Sequence, residues 1–158
     1  MKISFVVFGK PEPKGSMRAF TPKGWKRPII TDGNPNVKPW AQQIHRTALD
    51  EMAKQREGLA EPFPREMPIV LYLHFRLERP ASLPKRVTQC TKKPDLDKLT
   101  RAVKDALKGA VYHDDSQVCR AVLSKSYGNP GVEITVETLE SEARLEPSAT
   151  LDLFARTA

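Results

Sequence analysis

A chain of 158 residues, 39% hydrophobic and 28% charged, is the size of one domain with one modest core and is too apolar for wholesale disorder. It has no apolar run near the roughly 20 residues that cross a bilayer. Cys90 and Cys119 stand far apart without CxxC spacing, and that composition disfavours a membrane span, a disulfide framework and a zinc knuckle. The net charge of +7 is uneven. Residues 1–56 carry eleven basic and four acidic groups, residues 57–137 thirteen and eleven, and residues 138–158 two and four. A basic surface favours polyanions, nucleic acid first, although charge alone fits solubility equally well.

In chain order, Ile3 to Phe8 is rich in β-formers and reads as a strand, not as a leader peptide. A cytoplasmic location is expected. Gly9 to Pro39 is dense in Gly and Pro, which excludes a regular helix and predicts a long loop. It carries Lys10, Lys14, Arg18, Lys23, Lys26, Arg27 and Lys38, interleaved with Phe20 and Trp25. Lysine and arginine neutralise phosphates and aromatic faces stack on exposed bases, so this loop is a candidate DNA surface. Trp40 to Arg56 places Trp40, Ile44, Ala48, Leu49 and Met52 on one helical face.

Met67 to Leu77 alternates as a strand, and Pro80 to Pro94 is a second loop with Lys85, Arg86, Lys92 and Lys93. Asp95 to Lys108 is the clearest helix, with Leu96, Leu99, Val103, Ala106 and Leu107 in one stripe and Asp97, Arg101, Lys104 and Lys108 on another side. Asp95 is placed to cap its start and Gly109 its end. Val118 to Tyr127 and Val132 to Val136 read as strands, with Gly128-Asn129-Pro130-Gly131 as a hairpin turn between them. The order predicts a single α+β domain with a mixed sheet and two main helices over residues 1–137, followed by an acidic, flexible tail over 138–158.

Four carboxylates bracket the second helix: Asp95 and Asp97 at its start, Asp114 and Asp115 beyond its end. A helix of about fourteen residues is about 21 Å long, so the two pairs meet only if the chain folds back along it. Acids in a first turn complement the helix dipole without any chemistry. Asp114-Asp115 beside a strand has no such explanation, and hard divalent cations take carboxylate oxygens.

Pro94-Asp95-Leu96-Asp97-Lys98-Leu99, then Asp105-Ala106-Leu107, then Asp114-Asp115-Ser116-Gln117-Val118 resembles the signature of the RusA family of Holliday-junction resolvases. Gly9-Lys10-Pro11, Pro13-Lys14-Gly15 and Arg18 add to the likeness, which spans roughly residues 3–137. The resemblance implies a homodimeric, Mg²⁺-dependent endonuclease that nicks opposing strands of four-way DNA junctions. Its essential aspartates match Asp95, Asp97 and Asp115, which would hold the metal. Its essential lysine falls on Arg101, and the usual Asn after the second Asp is Lys98. Arg101 keeps the positive charge but does not shuttle protons. The residues alone also fit a non-catalytic binder of branched or single-stranded DNA, or a metal-dependent nuclease acting on flaps. In the tail, Thr150-Leu151-Asp152-Leu153-Phe154 resembles the short peptide by which bacterial DNA enzymes dock on the sliding clamp. Leu151, Leu153 and Phe154 would fill the clamp's apolar pocket.

Overall fold

The structure is a computed structural model that describes residues 1–55 and 61–139. The elements are β1 (Lys2–Phe8), β2 (Met17–Phe20), β3 (Ile29–Asp32), α1 (Val37–Gln55), β4 (Ile69–Leu77), α2 (Leu96–Leu107), a 3₁₀ turn (Asp115–Gln117), β5 (Val118–Tyr127) and β6 (Gly131–Thr138). The fold is α+β, with a four-stranded mixed sheet in the order β1-β6-β4-β5. β4 runs parallel to β5, so β4–α2–β5 is a crossover unit that lays α2 against the sheet. No helix among the described residues is long and apolar enough to cross a membrane.

Alternation along the strands builds the core in rows. Ile3, Val136 and Leu71 lie side by side, as do Phe5, Ile134 and Leu73, and then Val7, Val132 and Phe75. All nine are buried, and each such side chain contributes roughly 1.5–3 kcal/mol on leaving water. Trp40, Ile44, Ala48 and Met52 of α1 and Leu99, Val103, Ala106 and Leu107 of α2 cover this face. The other face of the sheet satisfies itself with polar pairs. Ser4 meets Thr135, His74 bridges Ser124 and Ser126, and Arg76 pairs with Glu133.

Two expectations are corrected. The segment Gly9 to Pro39 is not one continuous loop: β2 and β3 form an antiparallel ribbon inside it, and α1 begins at Val37. Pro39 sits in the first helical turn, where its missing N–H costs nothing. Gly128-Asn129-Pro130-Gly131 is also not a hairpin turn between neighbours, because β4 lies between β5 and β6. The connection instead crosses the end of β4, where Gly128 N donates to Leu77 O, and reaches β1, where Gly9 N donates to Pro130 O. Gly131 is needed for close approach, since a Cβ there would stand 2.7 Å from the Val7 carbonyl oxygen. β6 continues to Thr138, whose N donates to Met1 O. Leu151, Leu153 and Phe154 lie outside the described residues.

Candidate nuclease site

α2 carries Asp97, Arg101 and Lys104 at steps of four and three, which align them on one exposed to half-buried stripe, and Lys108 follows as the exposed C-cap residue. Asp95 is the N-cap residue, but its side chain makes no capping hydrogen bond. It stands instead 3.5 Å from Lys98 Nζ. Asp97 and Arg101 are exposed and form no ion pair among the described residues.

The chain after α2 turns back at Gly109, in the left-handed conformation at φ 81°, where glycine is the residue without steric cost. Gly109 N then donates to Tyr112 O. The Tyr112 ring is buried and its hydroxyl donates to Lys104 O, 2.8 Å away. Burial pushes that hydroxyl far above its usual pKa, with further upward push from Asp115, Asp105 and Asp114. This turn brings the second acid pair back along the stripe. Asp115 Oδ2 lies 3.9 Å from Lys104 Nζ, and Asp114 Oδ2 lies 2.5 Å from Lys108 Nζ. The hydrogen bond from Lys108, then those from Ser116, hold Asp114 well below the usual carboxylate range. Asp114 is thereby the anchor and Asp115 its freer neighbour.

Gln117 locks the loop. Its Oε1 accepts from His113 N and Asp114 N, and its Nε2 donates to Pro64 O and Met67 O. Asp114 in turn accepts from Ser116 N, completing a capping box.

From Asp97 to Lys104 is seven residues, about 10 Å along the helix. Asp95 and Asp97 both stand at the start of α2, two residues apart, and Asp115 stands beside Lys104, further along the helix than Arg101. Among the described residues no three Asp, Glu, His or Cys side chains approach closely enough to cage a metal ion. The donor chemistry nevertheless suits a hard cation, because Mg²⁺ takes one or two carboxylates beside water and substrate phosphate. The set fits a cation held partly by substrate and not one caged by the chain alone.

The basic segment runs beside the stripe. Lys14 N donates to Lys98 O, and Lys14 Nζ pairs with Asp105. Lys14 is thus committed to α2, whereas Lys10 is 79% exposed. Asp32 Oδ1 accepts from Gly15 N and Asn34 N, and Asn34 Nδ2 donates to Glu12 Oε2 and Pro13 O, which ties this loop to the ribbon. A Cβ on Gly15 would fall 2.6 Å from Asp32 Oδ1. Arg18 lies on β2, opposite Thr31 of β3. Lys23, Lys26 and Arg27 are exposed in the β2–β3 connection, next to Trp25 at 62% exposure. Lys92 and Lys93 are exposed just before α2, on a turn whose carbonyls at Lys92 and Pro94 accept from Lys125 Nζ.

Beside the start of α2 lies a cleft of about 600 Å³, lined in part by Lys10, Lys92, Lys93, Asp95 and Lys98. Sequence reasoning missed three things here: the anchoring of both distal acids by Lys104 and Lys108, the Gln117 lock, and Tyr127 in the cleft wall. The first two left signals, the i,i+4 spacing of the lysines opposite a DD pair and the D-x-x-Q pattern of a capping box. Tyr127 reaches the cleft through the sheet order and had no local signal.

A family model described as endodeoxyribonuclease RusA matches residues 19–137. The uncharacterized protein YqaN of Bacillus subtilis (strain 168) is 42% identical over 52 residues, which is 32% of this chain and 37% of that protein. The match thus spans little more than a third of that curated relative's length.

Proposed function

Because this chain belongs to the RusA endodeoxyribonuclease family, we propose that it is a divalent-metal-dependent endonuclease that resolves four-way DNA junctions by nicking opposing strands. The observation that carries the reading is the acid loop folding back along α2, which has Asp95 and Asp97 at its start, so that Asp115 stands beside Lys104. Asp95, Asp97 and Asp115 would hold one or two Mg²⁺ ions together with water and substrate phosphate, and the metal when bound would activate a water and stabilise charge on the scissile phosphate. Arg101, exposed between Asp97 and the Lys104–Asp115 pair, clamps a phosphate oxygen and stabilises transition-state charge. Its guanidinium stays charged at every working pH, so its role is electrostatic and no proton passes through it. Lys104 holds Asp115 beside the stripe. Lys10, Lys14, Arg18, Lys23, Lys26, Arg27, Lys92 and Lys93 supply the basic surface that receives the backbone, with Lys14 acting through its hold on α2. A homodimer presents two such sites to a two-fold substrate. The nuclease domain would occupy residues 1–137, and the tail over 138–158 would reach a sliding clamp through Leu151, Leu153 and Phe154.

The test is incubation of the protein with a synthetic four-way junction and a matched linear duplex, with and without Mg²⁺. Paired nicks in the junction alone, only with Mg²⁺, are expected. Asp95→Asn, Asp97→Asn and Asp115→Asn should each lose cutting and keep junction binding. Binding without cutting by the unaltered protein would favour a non-catalytic junction binder, and full activity in any one variant would remove that residue from the site.

A further inference from the structure

The cleft beside the start of α2 has a volume of about 600 Å³, inside the range of small-molecule sites. Its composition is divided. Pro11, Leu77, Pro80 and Tyr127 supply an apolar wall, while Lys10, Lys92, Lys93 and Lys98 supply positive charge. Two of the three acids at the cleft are matched, since Asp95 lies 3.5 Å from Lys98 and Glu12 lies 3.7 Å from Lys10, while the third, Glu78, is exposed to solvent. The aromatic side chain is braced. The Arg79 guanidinium stands 5.5 Å from the Tyr127 ring centroid and is itself fixed by donating to Val87 O and Pro84 O. The lysine-bearing turn of the lining is held too, since Lys125 Nζ donates to the carbonyls of Lys92 and Pro94.

An apolar wall with one braced aromatic ring, edged by lysines, matches the chemistry of one nucleotide. Bases stack on aromatic rings whatever their sequence, and lysines take the phosphate. Asp95 lies at the edge of the same cleft, so an occupant of the cleft lies next to the proposed cutting site. We infer that this cleft receives one unpaired nucleotide from the branch point, with its base against Tyr127 and the proline wall and its phosphate on the lysines. The inference rests on the branched-DNA reading above and adds to it a pocket for a base that has left its stack. Fully paired junctions would then bind through the basic surface alone, and the cleft would select DNA whose branch point offers a free nucleotide.

The experiment compares affinity for a fully paired four-way junction with that for the same junction carrying one unpaired nucleotide at the branch point, measured by anisotropy without Mg²⁺. The unaltered protein should bind the second about tenfold more tightly, the scale of one base–aromatic stack. Tyr127→Leu should cut that preference to under about twofold, and Tyr127→Phe, which keeps the ring, should retain it. Pro80→Glu adds a charge at an exposed part of the wall and should also reduce the preference, independently of any effect of Tyr127→Leu on folding. Equal affinity for the two junctions, or a preference that survives both Tyr127→Leu and Pro80→Glu, overturns this inference alone. Absence of any junction binding overturns the parent reading and this one with it.

Discussion

Replacing Gln117 with leucine tests how the acid loop is held. Gln117 is 8% exposed and makes four hydrogen bonds, of 2.9 and 3.2 Å at Oε1 and 2.8 and 3.3 Å at Nε2. Two amides on one atom and two carbonyls on the other admit only one orientation of the side-chain amide. Leucine keeps the bulk and loses every bond. At a net ~1 kcal/mol for each short bond and about half that for each long one, Gln117→Leu should cost about 3 kcal/mol. For a domain of this size the Tm should fall by about 6–12 °C. Urea unfolding followed by circular dichroism gives the free energy, and hydrogen exchange should quicken at the His113 and Asp114 amides. Gln117→Glu separates the two halves of the lock. It keeps the acceptor but turns a second oxygen toward the Pro64 and Met67 carbonyls, so it should be the less stable variant at pH 7 and should regain stability on acidification. A Gln117→Leu protein within about 0.5 kcal/mol of the original would refute the argument that these bonds hold the loop.

Three further outcomes are expected. Lys10→Ala should flatten the salt dependence of junction binding by about 0.9 in slope for the one phosphate it no longer neutralises, whereas Lys14→Ala, already paired with Asp105, should change the slope less; equal changes would place Lys14 on DNA. The Asp114–Lys108 pair lowers the acid's pKa and raises the lysine's, through their hydrogen bond first. Its acid part is present above the ordinary carboxylate value near ~3.9 and lost as pH falls through the lowered one, and its lysine part is present below about 10.4 and lost as pH rises through the raised one. In Lys108→Ala the Asp114 titration, read by NMR, should move up toward ordinary values, and an unmoved midpoint would remove Lys108 as the cause. A fluorescent peptide of residues 146–158 should bind bacterial sliding clamp and lose binding when Leu153 and Phe154 become alanine; no binding at high micromolar clamp would end the tail reading.

Periodicity made the long elements legible. Trp40, Ile44, Ala48 and Met52 announced α1, and the alternation from Ile69 to Leu77 announced β4. β2 and β3 were not legible because each has four residues amid Pro and Gly, too few to establish a period. Sheet order was not legible either. The turn residues from Gly128 to Gly131 describe a local reversal, but whether a third strand enters between β5 and β6 depends on pairing with β4, some 50 residues earlier. The site was legible in its residue types and not in its pairings. Asp114 and Asp115 carried the suggestion of chemistry, while the spacing of Lys104 and Lys108 only hinted at partners that the turn at Gly109 and Tyr112 brings to them.

The pairing of β1 with β6 has a consequence for how the chain is made. Lys2 sits opposite Glu137, 135 residues later. At about 5–20 residues per second, a ribosome takes roughly 7–27 s to supply the partner of a strand it has already released. Throughout that time Ile3, Phe5 and Val7 have no sheet to cover them, and the run Phe5-Val6-Val7-Phe8 is the kind of short, uncharged β-former that pairs with other chains. Helix α2 and the acid loop after it belong to a crossover unit complete at Tyr127, so the nascent chain can bring the proposed site residues together before its first strand has found a place.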